Sequence, residues 1–299
     1  MCPGTSRPRT SFDRVASVKT CVVVAKRGNA AASQLAQQLR DRYPELHFRA
    51  ERALAQELGW ELTASPEELA DSAELVVVLG GDGTLIHAAR LLRGRPVPVL
   101  GVNMGSLGFM TEVPASEAFP FMDEVLTGRF QVDSRMKLTC RLYRNDQLLL
   151  EDEVLNDVVI NKGALARIAD HECLIDGKYV TTLKADGMVI ATPTGSTAYA
   201  LAAGGPIVHP STECIILAPI CPHALTQRPL VIPSDRAVTL MLKSEVADVY
   251  LTFDGQTGHA LQTHDRLEIR RSPNRVLLIR NPHVDYFEIL RRKLKWGER

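Results

Sequence analysis

The sequence predicts an α/β first domain with a parallel, doubly wound sheet, then a mainly antiparallel β domain and a closing C-terminal helix. Three observations carry that reading. Short β-branched apolar runs alternate with helical spacing up to about Gly128, strands joined by turn dipeptides follow, and helical spacing returns at the end.

The elements follow in order. Cys21 to Ala25 (CVVVA) has the composition of a buried strand, and Ala30 to Tyr43 has helical spacing, with Leu35 and Leu39 on one face and Pro44 as the stop. Ser65-Pro66-Glu67-Glu68 is a capping box with proline at the first helical position, opening a helix through Asp71. Glu74 to Leu79 and Pro98 to Val102 are further buried-type strands, with a helix over Leu85 to Leu92 between them. From Lys137 onward, Asn145-Asp146, Asp176-Gly177 and Asp254-Gly255 signal hairpins. Thr239–Leu242, Asp248–Phe253, Asp265–Arg270 and Arg275–Ile279 read as consecutive antiparallel strands, and one helix is expected there, over Thr197 to Ala203. The last helix, Asp285 to Trp296, places Phe287, Leu290 and Leu294 on one face. The resulting boundaries are a disordered leader over 1–17, an α/β domain over 18–135, a β-rich domain over 136–284 and a terminal helix over 285–299.

Bulk properties bound the function. The 299 residues suffice for two domains, with 45% hydrophobic and 23% charged residues, as in globular proteins. Lys+Arg and Asp+Glu balance at 35 each, which argues against a nucleic-acid partner. No apolar run reaches the roughly 20 residues of a spanning helix, so no membrane partner is expected. The six cysteines are scattered without metal-ligand spacing and read as reduced, which points to the cytoplasm.

Four motifs carry chemistry. Leu79-Gly80-Gly81-Asp82-Gly83-Thr84-Leu85 lies between a buried strand and a helix, where glycines and a helix start form a phosphate cradle. A carboxylate there repels phosphate, so Asp82 makes sense as a proton acceptor or as a metal organiser. The dinucleotide fingerprint fails at its third glycine, because Ile86 stands there, and no P-loop exists anywhere. A second glycine loop, Gly101 to Phe109, follows the next strand and would share the crevice at the strand ends, with Phe109 available to stack on a base. Asn156-Asp157 before an apolar strand offers neighbouring donor and acceptor groups for two hydroxyls, or an Asx turn. Thr192-Pro193-Thr194-Gly195-Ser196-Thr197 has more hydroxyls than a helix cap requires, and Phe253-Asp254-Gly255-Gln256 is by itself a hairpin turn.

The ensemble of GGDGT (Gly80–Thr84), GVNMGSLGF (Gly101–Phe109), LND (Leu155–Asp157), DGMVIATPTGSTAYALAAGGPI (Asp186–Ile207) and FDGQ (Phe253–Gln256) resembles the NAD kinase family in order and spacing, from about Lys19 to the end. The resemblance implies phosphorylation of NAD by ATP on the 2′-hydroxyl of the adenosine ribose. It implies Asp82 as catalytic base, and Gly80, Gly81, Gly83 and Thr84 as the phosphate cradle. Asp82 and Gly83 would also touch NAD, along with Asn156, Asp157, Thr194 and Tyr199, while Phe109, Thr197 and Ala198 would line the adenine pocket. Asp186 would reach the nicotinamide half from a neighbouring subunit, with Lys184 beside it where many relatives carry Arg. Asp157 likewise stands where many relatives carry Glu. The resemblance also implies Mg²⁺ or another divalent cation, without an all-protein metal site, and a homodimer or homotetramer. Another GGDGT-type kinase, acting on a lipid or sugar, and a non-catalytic nucleotide-binding protein are the alternative readings.

Overall fold

The structure is a computed structural model and describes residues 18–63, 65–163, 168–243 and 248–297. The leader expected over residues 1–17 lies outside the described residues. Two compact units are present: one comprises the described residues of Met1–Arg93, Val97–Asp133 and Leu277–Arg299, the other Gly94–Pro96 and Ser134–Val276.

In the first unit the chain runs β1 (Thr20–Ala25), α1 (Ala30–Arg42), β2 (His47–Ala50), α2 (Arg52–Leu58), α3 (Pro66–Ser72), β3 (Leu75–Gly80), α4 (Asp82–Leu91), β4 (Pro98–Asn103), β5 (Val113–Pro114) and α5 (Ala118–Leu126). Strands β4, β3, β1 and β2 lie side by side in that order, all parallel. Both faces of β1, β3 and β4 are covered, so these strands are mostly apolar, whereas the edge strand β2 carries His47 and Arg49. Cys21, Val23, Leu75 and Val77 share one core with Leu35, Leu39, Leu54 and Phe121 from the helices. Val22, Val24, Val76 and Val78 alternate to the opposite face, where α3 and α4 pack. The Ser65 hydroxyl caps α3, accepting the Glu68 N–H at 3.1 Å, while the Glu68 carboxylate meets Arg49 at 3.2 Å.

The second unit is a sandwich of antiparallel sheets. It is built from β6 (Gln131–Arg144), β7 (Gln147–Val154), β8 (Asp157–Lys162), β9 (Ala169–Ile175), β10 (Lys178–Ala185), β11 (Gly187–Ala191), α6 (Tyr199–Ala202), β12 (Cys214–Ile220), β13 (Leu230–Pro233), β14 (Val238–Leu242), β15 (Val249–Phe253), β16 (Thr257–Leu261) and β17 (Arg266–Arg280). One sheet has the order β13-β12-β11-β8-β15-β16; the other joins β10, β9, β14 and β17 to β6 and β7. Their inner faces meet in one core, with Leu138, Ile160, Leu240 and Phe253 among its members. The outer face of β8, β11 and β12 is also apolar and packs under Ala200 of α6, so these three strands are buried on both sides.

Four expectations need correction. Asp265–Arg270 and Arg275–Ile279 are one strand, β17, because its bonds continue past Ser272-Pro273. Helix α4 starts at Asp82, not Leu85, since Thr84 and Leu85 donate their N–H groups to the Gly81 carbonyl. The helix expected over Thr197 to Ala203 is a 3₁₀ turn, Thr194–Thr197, followed by the single turn of α6. The final helix, α7 (Tyr286–Leu294), belongs to the first unit and buries Tyr286, Ile289 and Leu290, leaving Phe287 55% exposed.

Candidate active site

In the first unit the site is organised by Asp82. Strand β3 ends at Gly80, Gly81 is the extended N-cap, and Asp82 is the first residue of α4, where a negative charge is favoured by the helix dipole. Its carboxylate is engaged by the second glycine loop. Oδ2 accepts the Phe109 N–H at 2.8 Å, and Oδ1 accepts the N–H groups of Met110 (3.0 Å) and Thr111 (3.2 Å) and the Thr111 hydroxyl (3.3 Å). Asn103 at the end of β4 braces the same loop: its amide donates to the Ser106 carbonyl and to Thr111 Oγ1, and its oxygen accepts the Gly105 N–H.

Gly108 makes this closure possible. A Cβ there would stand 2.2 Å from both Asp82 Oδ1 and Thr111 Oγ1. Gly81 and Gly83 differ: a Cβ on either would meet nothing within 4 Å, and neither has a positive φ. Nothing in the fold asks for glycine at these two positions, so the open space beside them is left for something else. Phe109 is half-buried, with the Lys293 ammonium 5.8 Å from its ring centroid.

In the second unit the organiser is Asp254, in the hairpin turn between β15 and β16. Its carboxylate accepts three consecutive backbone N–H groups, from Leu155 (2.9 Å), Asn156 (2.7 Å) and Asp157 (3.0 Å). That nest fixes the entry to β8 and presents the side chains of Asn156 and Asp157. Asn156 Oδ1 is buried and has no hydrogen-bond partner among the described residues. The Asp157 carboxyl is pushed up to about 7, first by burial and then by the neighbouring Asp254 charge, with the Tyr199 N–H offsetting part of the effect. Thr192 ties the hydroxyl-rich loop to the same place, donating its hydroxyl to the Leu155 carbonyl at 2.6 Å and its N–H to the Asn156 carbonyl at 2.8 Å. Thr194 is buried against the Arg135 guanidinium at 3.3 Å, while Thr197 and Ala198 are half-buried and Tyr199 is exposed.

The sequence-derived residues thus fall into separate groups. Gly80, Gly81, Asp82, Gly83, Thr84 and Phe109 come together in the first unit, and Asn156, Asp157, Thr194, Thr197, Ala198 and Tyr199 in the second. Asp186 and Lys184 do not join the latter group. Asp157 pairs with Ala191 across β8 and β11, whereas Asn161 pairs with Gly187, which puts Asp186 at the far end of both strands. At roughly 3.4 Å per residue that is on the order of 15 Å away. There Asp186 faces Lys162 at 3.5 Å. Sequence reasoning missed the roles of Asn103, Gly108, Thr111 and Asp254. All four lie in or next to segments it singled out, and the signal available was the clustering of polar residues around glycines.

A doubly wound unit with an acidic Gly-Gly-Asp-Gly-Thr strand-to-helix corner, combined with a sandwich unit bearing a hydroxyl-rich loop, defines a class of kinase that works without a P-loop. Residues 9–130 match the ATP-NAD kinase N-terminal domain and residues 155–281 the ATP-NAD kinase C-terminal domain. The chain belongs to the ATP-NAD kinase family, and its activity is that of a kinase, a phosphotransferase acting on NAD. It is 54% identical to the NAD kinase of Geobacter metallireducens over 255 residues, 85% of this chain and 88% of that one. The NAD kinase of Geobacter sulfurreducens is likewise 54% identical, over 83% of this chain and 88% of its own. Among solved structures, yeast NADH kinase complexed with NADH superposes with a TM-score of 0.88 at 26% identity, covering 94% of this chain and 89% of that one. An NAD kinase from Archaeoglobus fulgidus in complex with ATP gives 0.72 at 25% identity, covering 92% and 98%.

Proposed function

We propose that this chain transfers the terminal phosphoryl group of ATP to the 2′-hydroxyl of the adenosine ribose of NAD, giving NADP. The observation that carries the reading is Asp82, fixed at a helix start between two glycines that the fold itself does not require. Phosphoryl transfer asks a protein for positioning and charge neutralisation more than for covalent chemistry. The start of α4, opened by Gly80, Gly81, Gly83 and Thr84, offers the positive end of its helix dipole to phosphate oxygens. Asp82 takes the proton of the attacking hydroxyl. A carboxylate offers about four acceptor sites and all are engaged here, so one donor must give way, and the two from Thr111 are the longest.

Asn156 Oδ1, buried and unpartnered, is an acceptor suited to a ribose hydroxyl, and Asp157 beside it serves a second one. Phe109, Thr197 and Ala198 line the adenine pocket, and Thr194 and Tyr199 also contact NAD. Asp186, with Lys184 beside it, serves the nicotinamide half on a neighbouring copy, which accounts for its distance from Asp157 in its own chain and suits a homodimer or homotetramer. No three His, Cys, Asp or Glu side chains among the described residues could hold a metal ion. Mg²⁺ would be carried mainly on the ATP phosphates and by water, where it would offset their charge. No helix among the described residues is long and apolar enough to cross a membrane, and the cytoplasm is the proposed site of action.

The test is an incubation of the purified chain with NAD, ATP and Mg²⁺, reading NADP through an NADP-specific dehydrogenase. ATP-dependent NADP formation is expected; its absence in folded protein would overturn the reading.

A further inference from the structure

We propose that Arg135 is a positioning residue for NAD: its guanidinium holds the Thr194 hydroxyl as a hydrogen-bond donor to an acceptor atom of the dinucleotide. The proposal deepens the kinase reading and rests on it. Four hydroxyls stand between Thr192 and Thr197, and three of them spend their protons on the protein's own backbone. Thr192 donates to the Leu155 carbonyl at 2.6 Å, and Ser196 donates to the Pro193 carbonyl at 2.6 Å. Thr197 donates to the Thr194 carbonyl at 3.3 Å. Thr194 differs. Its Oγ1 lies 3.3 Å from Arg135 Nη1. A guanidinium carries donors only, so Thr194 accepts in that bond and its own proton is directed elsewhere.

Arg135 is buried near the start of β6, and removing a guanidinium from water is costly. The backbone of the hydroxyl-rich loop does not need it. The Thr192 N–H is bonded to the Asn156 carbonyl at 2.8 Å, and Thr192 Oγ1 accepts the Gly195 N–H at 3.1 Å. Gly195 lies so close to Asn156 that a Cβ there would stand 2.2 Å from its carbonyl oxygen. These contacts fix the turn, and what Arg135 adds is the direction of one hydroxyl. Without a donor-only neighbour, a threonine hydroxyl is free to rotate onto a nearby carbonyl, as that of Thr197 does. Adenine ring nitrogens and the ribose and phosphate oxygens of NAD are all acceptors. Thr194 is itself buried, so a ligand acceptor is favoured there and a ligand donor is penalised.

The experiment uses the full chain and measures Kd for NAD by calorimetry without ATP, alongside the KM of each substrate and a melting curve. Thr194→Val keeps the shape of the side chain and removes the donor. Its Kd and KM for NAD are expected to rise about three- to tenfold, as loss of one hydrogen bond implies. KM for ATP should change less than about twofold. Arg135→Gln should give a similar rise, because an amide oxygen can take the hydroxyl proton back. Arg135→Lys remains donor-only and should recover part of that loss. The double variant Thr194→Val/Arg135→Gln should bind NAD within about twofold of Thr194→Val alone. Rises that multiply in the double variant, or equal losses in the Gln and Lys variants, would overturn the proposal and leave Arg135 a structural residue. A crystal structure of the full chain with NADP reads the same contact whatever the stability of the variants. Thr194 Oγ1 should then lie within hydrogen-bond distance of both Arg135 and an acceptor atom of the ligand. A ligand N–H in that place, or no ligand atom there, would also overturn the proposal. Tight NAD binding by a wild type that makes no NADP would sink the kinase reading and leave the assignment of Arg135 standing.

Discussion

Asp82 has two tasks in this fold, and a single substitution exposes both. Its carboxylate accepts three backbone N–H groups and a hydroxyl from the loop that carries Phe109 to Thr111. An amide is isosteric but offers one acceptor oxygen in place of two, and its NH₂ would face a backbone N–H. Asp82→Asn is therefore expected to lower kcat by about 10²–10⁴-fold through loss of the proton acceptor. It should also lower the melting temperature, since a buried donor left unpaired costs about 1–3 kcal/mol. Steady-state kinetics and a thermal melt on the same preparation separate the effects. A near-normal kcat would remove Asp82 from the chemistry, and an unchanged melt would mean that the loop is held by other contacts.

At the scale of elements, the β15–β16 hairpin sets the entry to β8 through Asp254. Asp254→Ala leaves the N–H groups of Leu155, Asn156 and Asp157 without their acceptor. KM for NAD should rise about tenfold, in line with losing charged hydrogen bonds, with KM for ATP nearly unchanged. Asp254→Asn should recover part of the loss, because Oδ1 alone serves Asn156 and Asp157. Equal effects on both substrates would make Asp254 a purely structural residue. That hairpin was legible as a turn and not as a clamp. Asn145-Asp146, Asp176-Gly177 and Asp254-Gly255 all adopt the positive φ that such turns require, so local chemistry predicted them. The clamp is built from backbone N–H groups, which every non-proline residue carries, and so it leaves no mark in the sequence. The link between Asp82 and the second glycine loop was hidden in the same way. Strand β17 was misread for the opposite reason. Pro273 signals a break because it lacks an N–H, yet the strand runs on, with Ser272 Oγ accepting the Asn274 N–H at 2.9 Å. The register of α7 slipped because Phe287 looked like a core residue, and its aliphatic and tyrosine neighbours fill that place instead.

For the whole molecule, two buried titratable groups give stability opposite dependences on pH. His171 lies on the core face of β9, fully buried, and burial lowers its pKa against the smaller opposing effects of the Ala185 backbone and the Asp170 charge. The unfolded chain takes up that proton first, near the ordinary value of about 6.5, so stability falls as pH drops below it. Asp157 has the reverse sign. Its folded pKa of about 7 lies above the ordinary carboxylate range, so its contribution is complete at acid pH and lost as pH rises toward 7. Denaturant melts from pH 4.5 to 8 should therefore show His171→Leu reducing the acid-side loss and Asp157→Asn reducing the loss toward neutrality. Parallel curves for wild type and His171→Leu would mean that the imidazole does not titrate with folding. A different consequence follows from the way the first unit is closed. Its strand β4 pairs with Leu277–Ile279, and α7 completes the same unit. On the ribosome, everything needed for the sandwich has been synthesised before those residues exist. Until Leu277–Ile279 are made, Pro98–Leu100 is an apolar edge without that neighbour, open to pairing with other nascent chains. Completion of the unit that is begun first thus waits for a segment made after the sandwich, and a chain broken off before Leu277 lacks part of its first unit as well.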